Sequence, residues 1–435
     1  MSQFDAEYCI IADDLTGSMD TAAQYANQGY STIVTINTHT NVSPTEDIQI
    51  VAVDTETRYT TVQNVIERLH ATIGNVNANV YYKKVDSTLR GHPALESQTL
   101  CQHLPVTGML IAPAFPDMGR TTDDGIHYVN GVRVTDTFYG DDPAGPSTAN
   151  LLKLFGTTGV QTTHLTEDIG AGETDELMDW FQVHMESESF KRFVCDVTTE
   201  KRLQELAVAA RDLPLLFVGS AGLARYMSPP TKSETQHPNI VHTNSKPLTI
   251  AGSINNTTIE QIKMFDEGMI LETDSSQLIH NGSDESVADE AISKLRAYSP
   301  VVITTAATTE TVDETIQYAT SIGLSSGELR NQIAQATGRM AKQIISERAP
   351  GGLLLTGGAT GAAVLAALGT SMIQLTGVSI EQGVPLGIAR DGLIEGMPIA
   401  TKAGGFGGPT TMLNVMNQLA SYDEHKFMRP CSDDG

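Results

Sequence analysis

Residues 11–20 read IADDLTGSMD, where two adjacent carboxylates, Asp13 and Asp14, end an apolar run and Thr16 and Gly17 open an amphipathic stretch. Acids in such a place hold a substrate hydroxyl, a metal or the loop itself. Capping of the following helix by Asp14 or Thr16 is the plain alternative, with an equal claim. Neighbouring side chains on a strand point oppositely, so the two acids should have different tasks. Residues 53–60, VDTETRYT, place Arg58 just past another apolar run. Its planar fork suits a substrate carboxylate, although a surface ion pair is the commoner fate of a lone arginine. Residues 81–92, YYKKVDSTLRGH, gather Lys83, Lys84, Asp86, Ser87, Thr88, Arg90 and His92. Such a mixture of cations, hydroxyls and a carboxylate suits a polyhydroxy acid or a phosphate. Lys84 and Asp86 share parity, hence one face if the strand continues. A charge run is usually a solvated face, but this one follows a core-like run and ends at Gly91, which favours a functional reading. In residues 111–125, IAPAFPDMGRTTDDG, Pro113 and Pro116 call for an irregular loop carrying Asp117, Arg120 and Thr121.

Four further strings pair a strand with a small-residue turn: FVGSAGLARY (217–226), LTIAGSINNTT (248–258), GGLLLTGGATGAAVLAALG (351–369) and MPIATKAGGFGG (397–408). The first could serve a ligand or simple packing. The last three place glycines at strand ends, two of them at the start of a helix. Exposed backbone N–H groups and the positive end of a helix dipole attract phosphate there. None is a Walker loop or a G-x-G-x-x-G dinucleotide fingerprint, and no protein-kinase signature occurs.

Short apolar runs must position these residues: 8–12, 32–36, 48–53, 80–84, 109–113, 193–197, 215–218, 248–251, 301–304, 353–356 and 397–402. Helical periodicity lies between them at 20–28, 62–73, 175–181, 200–210, 257–265, 286–296, 310–320 and 329–347. The alternation predicts an α/β fold with mostly parallel sheets flanked by helices. The polar, proline-bearing segment near 227–246 divides the chain into domains at 1–228 and 247–425, with a linker at 229–246 and a flexible tail at 426–435.

Of 435 residues, 27 are Lys or Arg and 52 are Asp or Glu, a net charge of −25. That field repels nucleic acid and anionic membranes. An anionic ligand would need locally concentrated cations or backbone N–H groups, and a positive local field is expected at the strand ends. Cys9, Cys101, Cys195 and Cys431 lie far apart with no C-x-x-C pair; Cys9 and Cys195 read as buried thiols. No apolar run reaches the roughly 18 residues of a membrane span. The polar, acidic start does not resemble a secretory signal, so a cytoplasmic protein is expected.

The strings IADDLTGSMD, VDTETR, YYKKVDSTLRGH, PAFPDMGRTT, VGSAGLA, AGS, LTGGATGAAV and KAGGFG follow one another between about residues 8 and 408. Together they resemble the four-carbon acid sugar kinase family. The resemblance implies an acid-sugar-binding N-terminal domain and a nucleotide-binding C-terminal domain facing each other across a cleft. It implies Mg²⁺-dependent transfer from ATP to the 4-hydroxyl of D-threonate, D-erythronate or 3-oxo-tetronate. By motif, Asp13, Arg58, Lys84, Asp86, Ser87 and Arg90 would meet the acid. Ser253, Gly357, Gly358, Ala359, Thr360 and Gly404 would meet the nucleotide. Asp86 is the first choice for the base and Asp13 the second, with Lys84 also catalytic; metal ligands are not assigned. KKVDSTLRG is more similar to the threonate and erythronate kinases than to the 3-oxo-tetronate branch. Thr57 before Arg58, where a serine is usual, and YGDDPAGP at 139–146 depart from the family pattern and bear on stereochemical preference. A homodimer is expected only from the size of such enzymes. Alternatives are a dinucleotide-dependent sugar-acid dehydrogenase, a non-catalytic effector on the same fold, and a kinase of another sugar acid.

Overall fold

A computed structural model of the chain describes residues 4–36, 48–156, 160–170, 172–186, 189–227, 229, 245–381 and 383–420. They form two compact units, one built on residues 4–25 and 30–229, the other on 26–29 and 245–420. The expected linker lies outside the described residues save for Pro229, Ser245 and Lys246, and the expected tail, with Cys431, lies wholly outside them.

The first unit carries strands β1 (Phe4–Ala12), β2 (Thr32–Ile36), β3 (Ile50–Asp54), β4 (Val76–Lys84), β5 (Gly108–Ala112), β6 (Arg120–Asp123), β7 (Ile126–Val129), β8 (Val132–Arg133), β9 (Thr162–Leu165), β10 (Lys191–Cys195) and β11 (Leu215–Gly219). Eight of them pair in parallel in the order β2-β3-β1-β4-β11-β5-β10-β9. β2, β3, β5 and β11 are buried at every position, which is why they read as apolar runs without alternation. β6-β7-β8 form a separate antiparallel sheet. This corrects the expectation of an irregular loop after Pro116: a single 3₁₀ turn at Pro116–Met118 leads directly into β6 at Arg120.

Beneath the ends of β1 and β4 lies a fully buried ion pair. Lys83 Nζ is 3.0 Å from Glu96 Oε2 and donates to the carbonyl of Ile11 at 3.2 Å, while Thr57 Oγ1 donates to Glu96 Oε1. Removing one member of such a pair strands the other charge in the core. Lys83→Met is therefore expected to lower unfolding stability by about 3–5 kcal/mol, read from urea denaturation.

The second unit carries β12 (Leu248–Ala251), β13 (Ile270–Glu272), β14 (Val301–Thr304), β15 (Leu353–Thr356), β16 (Met372–Glu381), β17 (Val384–Ala389) and β18 (Pro398–Lys402). Their order is β13-β14-β12-β15-β18-β17-β16. The first five pair in parallel, and β17 runs antiparallel to both of its neighbours. The helix Ser326–Glu347 starts at a capping box between Ser325 and Glu328. A Cβ at its Gly338 would meet the carbonyl of Ala363 at 2.6 Å, so this glycine permits close approach to the helix Gly358–Ala367.

The fold is thus α/β, and in each unit the strands form a mostly parallel array flanked by helices. In each unit the chain leaves its first strand to one side and later crosses to the other. The crossovers fall between β1 and β4 and between β12 and β15. In open α/β sheets, such switch points at the carboxyl ends of the strands are where ligands bind.

Candidate active site

At the β1/β4 switch point the strand stops at Ala12, so its alternation does not extend to Asp13 and Asp14. One guanidinium grips both acids. Arg58 donates from Nε and Nη2 to Asp13 at 2.8 and 2.9 Å, and from Nη1 and Nη2 to Asp14 at 2.7 and 2.8 Å. Four of the five N–H groups of a guanidinium are then taken. Arg58, expected to hold a substrate carboxylate, is mainly the clamp of this pair. Asp14 also accepts from the Gly17 amide at 2.9 Å and the Thr16 hydroxyl at 2.8 Å. That cap starts the helix Leu15–Ala26 five residues before the sequence pattern placed it. Burial acts to raise the Asp13 carboxyl pKa, but Arg58, with Lys83 and Lys84, holds it below the ordinary value. Asp54, at the end of β3, has no such cation: burial foremost, then the charge of Glu56, drives its pKa well above the ordinary value.

β4 ends at Lys84, and Asp86 lies in the turn beyond, so the shared strand face does not form. Asp86 Oδ2 accepts from Arg90 Nε at 2.6 Å and from the Thr88 hydroxyl. Burial opposes ionisation, yet Arg90 and Arg58 hold the Asp86 pKa well below the carboxylate range. Such an acid is a poor proton acceptor and a good anchor for Arg90. Arg90 in turn stacks over Tyr139, 5.3 Å from the ring centroid. Its neighbour Gly91, at φ +93°, packs on the clamp: a Cβ there would lie 3.0 Å from Asp13 Oδ2. Ser87 is half-buried, and its carbonyl accepts from His127 Nε2 at 2.9 Å. Burial lowers the His127 pKa to about 4, so the ring is neutral and its Nδ1 accepts from Thr122 Oγ1 at 3.0 Å.

The positive field expected at these strand ends is largely cancelled. Arg58 faces Asp13 and Asp14, Lys83 faces Glu96, and Arg90 faces Asp86. Lys84 is buried, and its ammonium has no hydrogen bond or ion pair among the described residues. Its Nζ would lie 3.0 Å from a Cβ at Gly17, over the first turn of the helix. One turn further along is Asp20, three residues from Gly17 and on the same face. Burial pushes the Asp20 pKa up to about 6 against the opposing charges of Lys84 and Arg225. No hydrogen bond to its carboxylate is found among the described residues. Asp20 and His127 were not chosen from sequence; Asp20 belongs to the IADDLTGSMD string, whereas nothing in IHYV marks His127.

The second unit brings the predicted nucleotide residues together at the ends of β12, β15 and β18. The amide of Gly252 donates to the carbonyl of Thr356 at 2.9 Å, tying the first two turns. A Cβ on Gly252 would collide with Thr360 Oγ1 at 1.9 Å, and one on Gly404 with Ser253 Oγ at 2.0 Å. Gly357, at φ +95°, precedes the helix Gly358–Ala367, and a Cβ there would lie 3.0 Å from the Ser253 nitrogen. The helix's first N–H groups, at Gly358, Ala359 and Thr360, lack acceptors within the helix. Ser253, Gly357, Gly358, Ala359, Thr360 and Gly404 therefore line one concentration of backbone donors. Gly357→Ala, strained at this φ by about 1–3 kcal/mol, is expected to raise the Michaelis constant for nucleotide about tenfold or more in steady-state assays.

Among the described residues no cluster of three or more His, Cys, Asp or Glu could hold a metal, and no helix is long and apolar enough to cross a membrane. Cys9 and Cys195 are buried free thiols whose pKa burial pushes to about 12.

Comparison with known proteins agrees with this division. A sugar-binding N-terminal domain family matches residues 8–227, and a nucleotide-binding C-terminal domain family matches residues 248–412. A D-threonate kinase of Cupriavidus necator is 30% identical, covering 95% of this chain and 98% of the relative. A D-threonate kinase of Salmonella typhimurium is 27% identical, covering 94% and 97%. A D-erythronate kinase of Heliobacterium modesticaldum is 26% identical, covering 94% and 96%. A crystal structure of a Salmonella typhimurium protein, 20% identical, shares the fold with a TM-score of 0.76 over 94% of this chain and 98% of that one. The chain belongs to the four-carbon acid sugar kinase family and is a phosphotransferase acting on a sugar acid hydroxyl.

Proposed function

We propose that the chain transfers the γ-phosphoryl group of ATP to the 4-hydroxyl of D-threonate or D-erythronate, with the acid bound by the first unit and the nucleotide by the second. The observation that carries the reading is Lys84. Its ammonium is buried, has no hydrogen bond or ion pair among the described residues, and lies over the first turn of the helix Leu15–Ala26.

Phosphoryl transfer rests on positioning and charge stabilisation more than on covalent chemistry. Lys84 and the first turn of the helix Leu15–Ala26 would meet negative charge on the transferring group. Asp20, ionised at neutral pH yet basic, would accept the 4-hydroxyl proton; it replaces Asp86 and Asp13, both held too acidic by their arginines. Ser87 and Arg90, braced by His127 and Asp86, would hold the acid's hydroxyls and carboxylate. Asp13 and Arg58 would fix the loops that carry them. The backbone donors around Ser253, Gly357 and Gly404 suit the phosphates of ATP. Mg²⁺ would enter as part of the substrate MgATP, held mainly through the phosphates.

The relatives named above support this acid class, and KKVDSTLRG favours threonate or erythronate over 3-oxo-tetronate. Identifying the product by ³¹P and ¹H NMR tests the reading. A phosphomonoester on C4 is expected; an ester at C2 or C3, or an acyl phosphate, would overturn it.

A further inference from the structure

Lys402, the last residue of β18, is fully buried and has no ion pair among the described residues. Its ammonium instead donates to three backbone carbonyls of the loop that follows, those of Ala403 at 2.9 Å, Gly404 at 3.1 Å and Phe406 at 3.1 Å. The helix Asn256–Ile262 holds the same carbonyl row. Thr258 Oγ1 donates to Gly404 O at 2.9 Å, and Gln261 Nε2 donates to Phe406 O at 3.0 Å and Gly408 O at 2.8 Å. In a trans peptide the N–H of the next residue points opposite to the carbonyl. Carbonyls turned inward at 403, 404 and 406 therefore turn the amides of Gly404, Gly405 and Gly407 outward. Those three amides have no backbone acceptor among the described residues. Neighbouring outward amides of this kind are donors that can bind an anion, and Gly404 lies beside Ser253.

We propose that Lys402 is a positioning residue of the nucleotide site, holding this loop's carbonyls inward so that the amides of Gly404, Gly405 and Gly407 face a nucleotide phosphate. The inference rests on the reading of the second unit as the nucleotide site. Without the ammonium, each of the three carbonyls would lose one of its two donors, and the loop would hold its amides toward a phosphate less firmly.

The surroundings of Lys402 carry little other charge. β15, β17 and the helices Gly358–Ala367 and Thr411–Ala420 contain no titratable side chain. Glu260, and Lys263 just past the end of the helix Asn256–Ile262, are exposed and pair with each other at 2.7 Å. Burial lowers the Lys402 pKa to about 7. A neutral amine keeps two N–H groups for three carbonyls, so phosphate binding weakens as pH rises through 7. Stability moves the other way. Between about 7 and the ordinary lysine value of 10.5 the unfolded chain binds more protons, so this group's contribution favours the folded state increasingly as pH rises.

Calorimetric titration of the full chain with MgATP at pH 6.5 and 8.5 tests this. Loss of charge-assisted hydrogen bonds worth about 1.5–3 kcal/mol predicts that Lys402→Met raises the Kd about 10- to 100-fold at pH 6.5. The wild type should weaken between the two pH values, and the variant should not. A folded Lys402→Met that binds MgATP as tightly as the wild type at both pH values would overturn the inference. If Lys402→Met does not fold, Thr258→Val and the wild-type pH series decide. A raised Kd for Thr258→Val with the pH trend intact supports the role, and an unchanged Kd with a flat wild-type series refutes it. A wild type that binds no MgATP at either pH removes the functional reading of the second unit, and this inference with it.

Discussion

Asp20→Asn is expected to lower kcat by about 10²–10⁴-fold, the usual cost of losing a general base, with little change in the Michaelis constant for ATP. The reason is the contrast between four acids at one switch point. Asp13 and Asp86 face arginines that keep them ionised and weakly basic. Asp54 is shifted the other way, well above the ordinary carboxylate range, by burial and the charge of Glu56. Asp20 alone among them has a pKa, about 6, that leaves it both ionised and basic near neutrality. A base must be deprotonated to act, so wild-type kcat should fall as pH drops below about 6. Asp20→Asn should lose that limb of the profile. Asp86→Asn should instead raise the Michaelis constant for the acid, since it frees Arg90. If Asp86→Asn abolishes turnover while Asp20→Asn keeps both its rate and the acid limb, the assignment is reversed.

Lys84→Met is expected to lower kcat by about 10²–10³-fold, the scale seen when one preorganised charge or donor to a transition state is removed. Its neighbour makes the argument sharp. Lys83 and Lys84 are adjacent, both buried, and indistinguishable by residue type. Lys83 is neutralised by Glu96 and tied to Ile11, and its loss should appear as lost stability. Lys84 has no ion-pair partner to strand, so its loss should appear as lost turnover with a nearly unchanged urea midpoint. Paired denaturation and rate measurements on the two variants separate structure from function. Equal losses of stability with equal rates would contradict this division.

Much of the architecture was legible before any coordinates. Strands covered on both faces announce themselves as apolar runs, and 32–36, 248–251, 301–304 and 353–356 match to the residue. Helices 62–73 and 200–210 also match, each opened by a threonine cap. The antiparallel elements were not legible. β6 is polar, and glycines and Pro385 interrupt β16 and β17 so that the stretch reads as turn.

The glycine turns of the second unit could be recognised because their chemistry lies in the backbone, which glycine spacing reveals. The first unit was harder. Its candidate residues do gather, but their roles depend on who faces whom. Arg58 meets acids 44 and 45 positions away, and no local pattern reports that. Asp20 differs from Asp13 in that no arginine is hydrogen-bonded to its carboxylate among the described residues, which composition cannot show. Lys402 was visible only as one letter of KAGGFG, because its function is carried by where its three N–H groups point. The acidic net charge, −25, describes the chain as a whole; at the β1/β4 switch point Arg58, Lys83 and Arg90 are each answered by a carboxylate.

The most direct measurement is ADP release by the wild type with MgATP and a panel of D-threonate, D-erythronate, 3-oxo-tetronate and L-threonate, against a blank without acid. The account predicts acid-dependent ADP formation, fastest with D-threonate or D-erythronate, and negligible release in the blank. No acid-dependent release with any member of the panel, at saturating MgATP and neutral pH, would contradict it.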